Sequence, residues 1–312
     1  MQVKQIRIGD VLTDNNVFLA PIAGFTNYPF RHNILPLGVG FCFTELVSAK
    51  GLFFGGKNSV ELLYAEDDYA KTGAQIFGSD PYYLRKACES EYLKDFKVVD
   101  INMGCPVPKV YKNGEGSALL SDIKLAESLV KECVKSGKNI TVKIRTGLKF
   151  GDDIASEFAK MAEDAGARLI TIHGRVREAY YAGEPDFKAI EKAKNSVSIP
   201  VIANGGIFTE KDADDMINRT GADGVMIARG GIADPNIFNK ITGMGNQIAI
   251  REFAVKFIKD FASRYGDERA CKEFRKYATY FYKGAYNAKH ARNVINVSLD
   301  LNEIISVLQK TL

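Results

Sequence analysis

The sequence predicts an α/β chain, a (β/α)8 TIM barrel followed by a smaller C-terminal helical domain. Three observations carry this. Eight short apolar runs rich in β-branched residues alternate with longer amphipathic segments. Polar or glycine-rich signatures follow nearly every run, whereas a doubly wound open sheet would gather its binding residues at one switch point. Beyond Gly243-Met244-Gly245-Asn246 the strand-like runs stop.

In chain order, strands are expected at Val17–Ala20, Gly40–Glu45, Gly73–Phe77, Val98–Asn102, Ile140–Arg145, Leu169–His173, Pro200–Asn204 and Gly224–Ala228. Helices are expected at Asp122–Lys135, Asp153–Ala165, Phe187–Lys194 and Glu210–Arg219. These assign residues 1–246 to the barrel and 247–312 to the helical domain. In the latter, Phe253, Phe257, Phe261 and Tyr265 recur at every fourth position, one face of a helix. Ser298-Leu299-Asp300 can start a last helix running to Leu312.

Composition narrows the function. The chain has 312 residues, 46% hydrophobic and 26% charged, values of a soluble globular protein. No apolar run approaches the ~20 residues of a membrane span. The first residues lack a secretory signal's apolar segment, so a cytoplasmic location is expected. Five scattered cysteines and three histidines, with no C-x-x-C pair, argue against a disulfide framework or a metal site. A net charge of +4 permits a polyanionic partner without requiring one. Between Arg251 and Arg292, eleven basic residues stand against five acidic ones, with Tyr277, Tyr280, Tyr282 and Tyr286 interspersed. That mixture suits phosphate contacts and base stacking, or equally a solvated basic surface over an aromatic core.

In a barrel the C-terminal strand ends meet on one face, where active sites form. Asn204-Gly205-Gly206 and Ala228-Arg229-Gly230-Gly231 end strands seven and eight, the usual phosphate position. Lys143 and His173 are expected in the same mouth, placed to stabilise negative charge beside a flavin ring. Gln75 and Asn102 offer amide donors and acceptors for that ring's polar edge. Cys105, in Asn102-Met103-Gly104-Cys105-Pro106, sits at a strand end between Gly and Pro, a setting for chemistry rather than packing. A free thiol of ordinary pKa is mainly protonated at neutral pH, so Cys105 reads either as a proton donor or, once ionised, as a nucleophile. Cys42, Cys88, Cys133 and Cys271 lack such a setting and read as structural.

The chain resembles the tRNA-dihydrouridine synthases, specifically their bacterial DusB-type branch, over nearly its whole length. The matching blocks are A-P-I-A-G-F-T-N-Y-P-F-R at Ala20–Arg31, F-T-E-L-V-S-A at Phe43–Ala49 and Q-I-F-G-S-D-P at Gln75–Pro81. D-I-N-M-G-C-P-V-P-K-V at Asp100–Val110 is the most specific, followed by G-S-A-L-L at Gly116–Leu120. K-I-R-T-G, T-I-H-G-R, V-I-A-N-G-G-I, G-V-M-I-A-R-G and R-K-Y-A-T-Y-F-Y-K-G come in the family's order. The eighth strand departs, with Ala228-Arg229-Gly230 where Gly-Arg-Gly or Gly-Arg-Ala is more usual. Alanine keeps its backbone N–H, so the departure is minor.

The resemblance implies a flavin-binding barrel with a helical tRNA-binding domain. Such enzymes reduce a tRNA uridine to 5,6-dihydrouridine with FMN and a nicotinamide reductant, NADPH or NADH. It makes Cys105 the general acid that protonates C5, while hydride reaches C6. It places Pro21, Ile22, Ala23, Gln75, Asn102, Lys143, His173, Asn204, Gly205, Gly206, Ala228 and Arg229 on the cofactor. We assign Asn102, Arg145, Arg175 and Arg275 to substrate contacts, and expect a monomer with no metal and no membrane partner. The alternatives are an FMN barrel reducing a free pyrimidine, as dihydroorotate dehydrogenases do, and a non-enzymatic RNA-binding protein. Intact Cys105, Lys143 and both phosphate turns speak against the latter.

Overall fold

A computed structural model describes residues 1–284 and 288–312; Tyr286 lies outside the described residues. The eight expected strands form a closed parallel barrel: β1 (Val17–Leu19), β2 (Phe41–Phe43), β3 (Thr72–Phe77), β4 (Val98–Met103), β5 (Asn139–Arg145), β6 (Leu169–His173), β7 (Val201–Asn204) and β8 (Gly224–Ile227). Each pairs with its sequence neighbours, and β8 returns to β1 through Val225↔Val17 and Met226↔Phe18. Between β2 and β3, a separate two-residue strand, Val47–Ser48, pairs with Ile76 and Phe77 at the end of β3. The second run is therefore interrupted rather than continuous to Glu45.

Alternation along each strand sorts side chains between two cores. Val99, Ile101, Val142, Ile144, Ile170 and Ile172 face outward into the main apolar cluster under the helices. Phe18, Phe41, Phe43, Val98, Leu169, Ile202 and Met226 face inward and fill the lower barrel. Ile6 and Ile8, beside a small hairpin of Arg7–Ile8 and Val11–Leu12, join that inner cluster. Gly73 makes room for it: a Cβ there would lie 2.8 Å from the Phe43 ring.

The outer helices follow their sequence signals. Ile123–Val134 starts where the Asp122 side chain accepts from Leu125 N–H, and it buries Ala126, Leu129, Val130 and Cys133 at helical spacing. Glu210–Thr220 begins with a capping box between Thr209 and Asp212. After the barrel come Ile250–Tyr265, Asp267–Phe281, Ala288–Val297 and Leu301–Thr311, the last capped by Asp300.

The Phe253/Phe257/Phe261 stripe faces the barrel. The Phe30 ring, on the helix after β1, packs edge-on against Phe253 at 5.8 Å and Phe257 at 5.7 Å. Tyr277 donates its hydroxyl to the Phe25 carbonyl and accepts from Asn27 Nδ2 at 2.8 Å. The helix Asp267–Phe281 is thereby fixed to the loop after β1, at the rim of the mouth. Tyr277 and Tyr282 are fully buried, so neither presents a face to a nucleic-acid base. Cys42, Cys88, Cys133 and Cys271 are buried as well, leaving Cys105 as the partly exposed thiol among the described residues. Among the described residues no helix is long and apolar enough to cross a membrane.

Candidate active site

The strand ends surround a cavity of about 380 Å³ at the C-terminal face of the barrel. Every residue assigned above to the cofactor lines it, as do Cys105, Arg145 and Arg175. Arg275 does not. The Asp267–Phe281 helix instead contributes Tyr280 to the lining.

The Cys105 turn is set by the residue that ends β4. Asn102 Oδ1 accepts from the N–H groups of Gly104 at 3.1 Å and Cys105 at 2.9 Å, folding the chain back over the strand end. Ser117 then clamps the turn, donating from Oγ to the Cys105 carbonyl at 2.8 Å. Gly116 lies so close that a Cβ there would be 3.0 Å from Cys105 Cβ. The G-S-A-L-L block is thus the second wall of the thiol's turn. Burial pushes the Cys105 thiol above its ordinary pKa, against the opposing pull of the Val107 backbone, Arg145 and Lys143.

Lys143 extends into the mouth from β5 and donates to Asn204 Oδ1 at 3.0 Å. Asn204 is oriented in turn by donating Nδ2 to the Met226 carbonyl at 2.7 Å. Burial, then the nearby Arg145, lower the Lys143 ammonium to about 8. His173 is held well below its ordinary value by burial and by Lys143, Arg145, Arg175 and Arg229, so it is neutral at pH 7. Arg175 Nη1 lies 3.4 Å from His173 Nε2 and can only donate, which leaves the ring proton on Nδ1. The imidazole therefore serves as a hydrogen-bond donor rather than as a second charge.

Arg145 and Arg175 are anchored to backbone. Arg145 donates to the carbonyls of Gly104 at 2.9 Å, Val176 at 3.1 Å and Tyr180 at 2.8 Å. Arg175 donates to Ala182 at 3.0 Å and Gly183 at 3.2 Å. Together they hold the loop after β6 over the mouth, and Arg145 ties that loop to the Cys105 turn. Tyr180 takes a positive φ of 49°, an uncommon conformation for a tyrosine, within this clamp. Its neighbour Tyr181 faces the cavity, with the Arg229 guanidinium 4.6 Å from its ring centre. The Phe208 ring centre is 5.8 Å from the same guanidinium. Sequence reading missed Tyr181 and Phe208, since neither ends a strand. The signal that could have found them is the pair of aromatics standing in loops that follow G-R and G-G-I.

Among the described residues no carboxylate lies within ion-pair distance of Lys143, Arg145, Arg175 or Arg229. A mouth with several cations, no paired acid and glycine turns after β7 and β8 is built to take an anionic ligand. With a thiol at its edge, it defines the chain as a (β/α)8-barrel enzyme that binds an anionic cofactor or substrate. Comparison with known proteins makes this specific. The dihydrouridine synthase (Dus) family profile matches residues 18–311, and the chain belongs to that family.

It is 32% identical to tRNA-dihydrouridine synthase B of Pasteurella multocida over 314 residues, covering 97% of this chain and 95% of the relative. Against tRNA-dihydrouridine synthase B of Vibrio parahaemolyticus the identity is 36% over 237 residues, or 76% of this chain and 74% of the relative. Among solved structures, a 2-naphthoyl-CoA reductase complex superposes with a TM-score of 0.62 at 14% identity, covering 77% of this chain and 52% of that one. Histamine dehydrogenase from a Rhizobium species gives 0.60 at 14% identity, covering 82% and 50%. The two structures share the barrel fold.

Proposed function

We propose that this chain is a cytoplasmic, monomeric tRNA-dihydrouridine synthase of the B type, with FMN as its resident cofactor and NADPH, or NADH, as reductant. The observation that carries the reading is the Cys105 thiol, kept protonated by burial at the edge of a mouth whose cations have no acidic partner. The full-length relatives are named for this activity.

The residues fit a flavin mononucleotide. Gly205 and Gly206 have φ of 122° and 73°, and a Cβ on Gly205 would lie 2.8 Å from His173 Cδ2. Backbone can therefore approach a phosphate where a side chain could not. Arg229 adds a charge beside those turns. Lys143 and the His173 Nδ1–H supply a cation and a donor, and Gln75 and Asn102 supply amides, for a polar ring edge. When bound, FMN supplies the hydride that reaches C6 of the uracil. Cys105 gives its proton to C5, completing the addition of two hydrogens across the C5–C6 double bond. The clamp from Arg145 to Gly104 and Tyr180 holds the thiol's turn and the roof of the mouth in one register.

Residues 247–312 serve as the tRNA-binding domain. Lys276 lies 5.6 Å from the Phe25 ring at the rim, and Tyr280 lines the mouth. A uridine must leave its stack to enter, so base extrusion precedes reduction. The free-pyrimidine reading leaves the basic helical segment without a role.

The deciding experiment is a site-resolved dihydrouridine map of tRNA from cells with and without this protein. One or more positions should lose dihydrouridine. An unchanged map, with no redundant enzyme present, refutes the assignment. The purified protein should also be yellow and bleach with NADPH. Gly205→Ala should weaken FMN retention about ten-fold or more, since alanine is strained at that φ and meets His173. Equal retention by fluorescence titration would place the phosphate elsewhere.

A further inference from the structure

Asp100 lies one step below Asn102 on the inner face of β4, 1% exposed. Its carboxylate has two partners: Thr141 Oγ1 donates to Oδ1 at 2.6 Å, and Gln75 Nε2 donates to Oδ2 at 2.8 Å. A carboxylate can only accept, so the Gln75 amide must turn its NH2 group inward. Its carbonyl then faces Asn102, whose Nδ2 donates to Gln75 Oε1 at 3.0 Å. That in turn leaves Asn102 Oδ1 to accept from Gly104 and Cys105. Three side chains on two neighbouring strands thus form one relay with a single sense. It has an obligate acceptor at the buried end and two obligate donors at the thiol's turn. Gln75 and Asn102 both line the cavity, each with one amide N–H that the relay does not use, so the relay's sense bears on what the mouth offers to a ligand.

Burial raises the Asp100 carboxyl from its ordinary value to about 6, while the hydrogen bonds from Thr141 and Gln75 and the Lys143 ammonium keep it from going higher.

We propose that Asp100 is a positioning residue: through Gln75 and Asn102 it holds the Cys105 turn, and it keeps both amides presenting N–H donors to the ligand. The second half rests on the synthase reading above; the first half concerns the free protein alone. Asp100 touches neither the ligand cavity nor the reacting atoms. Its effect is transmitted by hydrogen-bond polarity, which removal of the buried acceptor releases.

The test uses the full chain stripped of cofactor. In Asp100→Leu the buried acceptor is gone, Gln75 Nε2 loses its partner, and nothing holds that amide in one sense. Hydrogen exchange of the Gly104 and Cys105 amides should then quicken about ten-fold, the worth of one lost hydrogen bond. Cys105 alkylation by iodoacetamide should change with it. The double variant Asp100→Leu/Gln75→Glu restores the sense at the turn, because a carboxylate at position 75 accepts from Asn102 Nδ2 whichever way it is turned. Exchange should return to within about three-fold of the parent.

FMN affinity should not recover in the double variant, because an N–H donor in the wall has become an acceptor. That split separates positioning from a general loss of stability. Unchanged exchange in Asp100→Leu overturns the proposal, and so does a double variant that folds but fails to recover protection. If Asp100→Leu does not fold, Gln75→Met cuts the relay one link further on and must give the same ten-fold change; parental exchange there overturns the proposal. None of these exchange readouts needs turnover, so they stand or fall separately from the dihydrouridine map.

Discussion

Cys105→Ala is expected to lower dihydrouridine formation by ~10²–10⁴-fold, the usual worth of a placed general acid, while the flavin stays bound and is still reduced by NADPH. The variant removes only the Sγ, because the turn is held by backbone groups: the Gly104 and Cys105 N–H groups on Asn102, and the Cys105 carbonyl on Ser117. The flavin-reducing half-reaction should therefore be retained and the half-reaction with tRNA slowed. Stopped-flow flavin absorbance separates the two, and equal rates in both halves would remove Cys105 from its role. Burial raises the thiol's pKa, so the acid stays protonated through neutral pH. The tRNA half-reaction should fall only as pH rises past the thiol's pKa, and it should show no acid limb from this group.

Lys143→Met should have opposite effects on stability and on activity. The Lys143 ammonium titrates at about 8 in the fold against 10.5 for an ordinary lysine, chiefly because it is buried. The unfolded chain therefore binds more protons between those values, and stability from this group rises with pH across that window. Below pH 8 the full cost is present. For a side chain that partly faces the cavity it is of order 1–3 kcal/mol. The methionine variant, stripped of cofactor, should melt higher than the parent at pH 7, and the difference should close as pH approaches 10.5. Its turnover should nonetheless drop ~10²–10³-fold, because a fixed positive charge has left the site where negative charge develops. Urea melts at pH 7 and pH 10 check the first part; a destabilised variant at pH 7 would contradict it. Such a pair of results would show a residue that destabilises the empty protein and favours the reaction, a trade common at active sites.

Much of this was legible in the chain. Strand order could be read because buried parallel strands are short β-branched runs, and a (β/α)8 barrel then leaves each strand's last residues on the same face. Cys105, Lys143, His173 and the two glycine turns meet in one cavity for that reason. Arg145 and Arg175, expected at the substrate, do line the mouth. Their second set of partners was not legible: a guanidinium at a strand end looks free in sequence, and only the folded loop after β6 brings the Val176, Tyr180 and Gly183 carbonyls to them. Arg275 sits on the right helix but does not line the cavity, whereas Tyr280 of the same helix does. The facing of a helix against a barrel depends on packing such as Phe30 on Phe257, which helical periodicity alone does not orient.

The sequence by itself determined the barrel, the face on which the strand ends meet and the thiol at the edge of its mouth. All three follow from local rules: alternation along strands, turns that need glycine, and a cysteine between Gly and Pro at a strand end. The tertiary structure alone decided how those groups are tuned. Asp100, Gln75, Asn102 and Cys105 span 31 positions of the chain, and their hydrogen bonds join β3 to β4. The sense of that relay depends on which atoms the barrel's closure brings within about 3 Å. Such distances between strands are set by the register of the closed sheet and by no single stretch of residues.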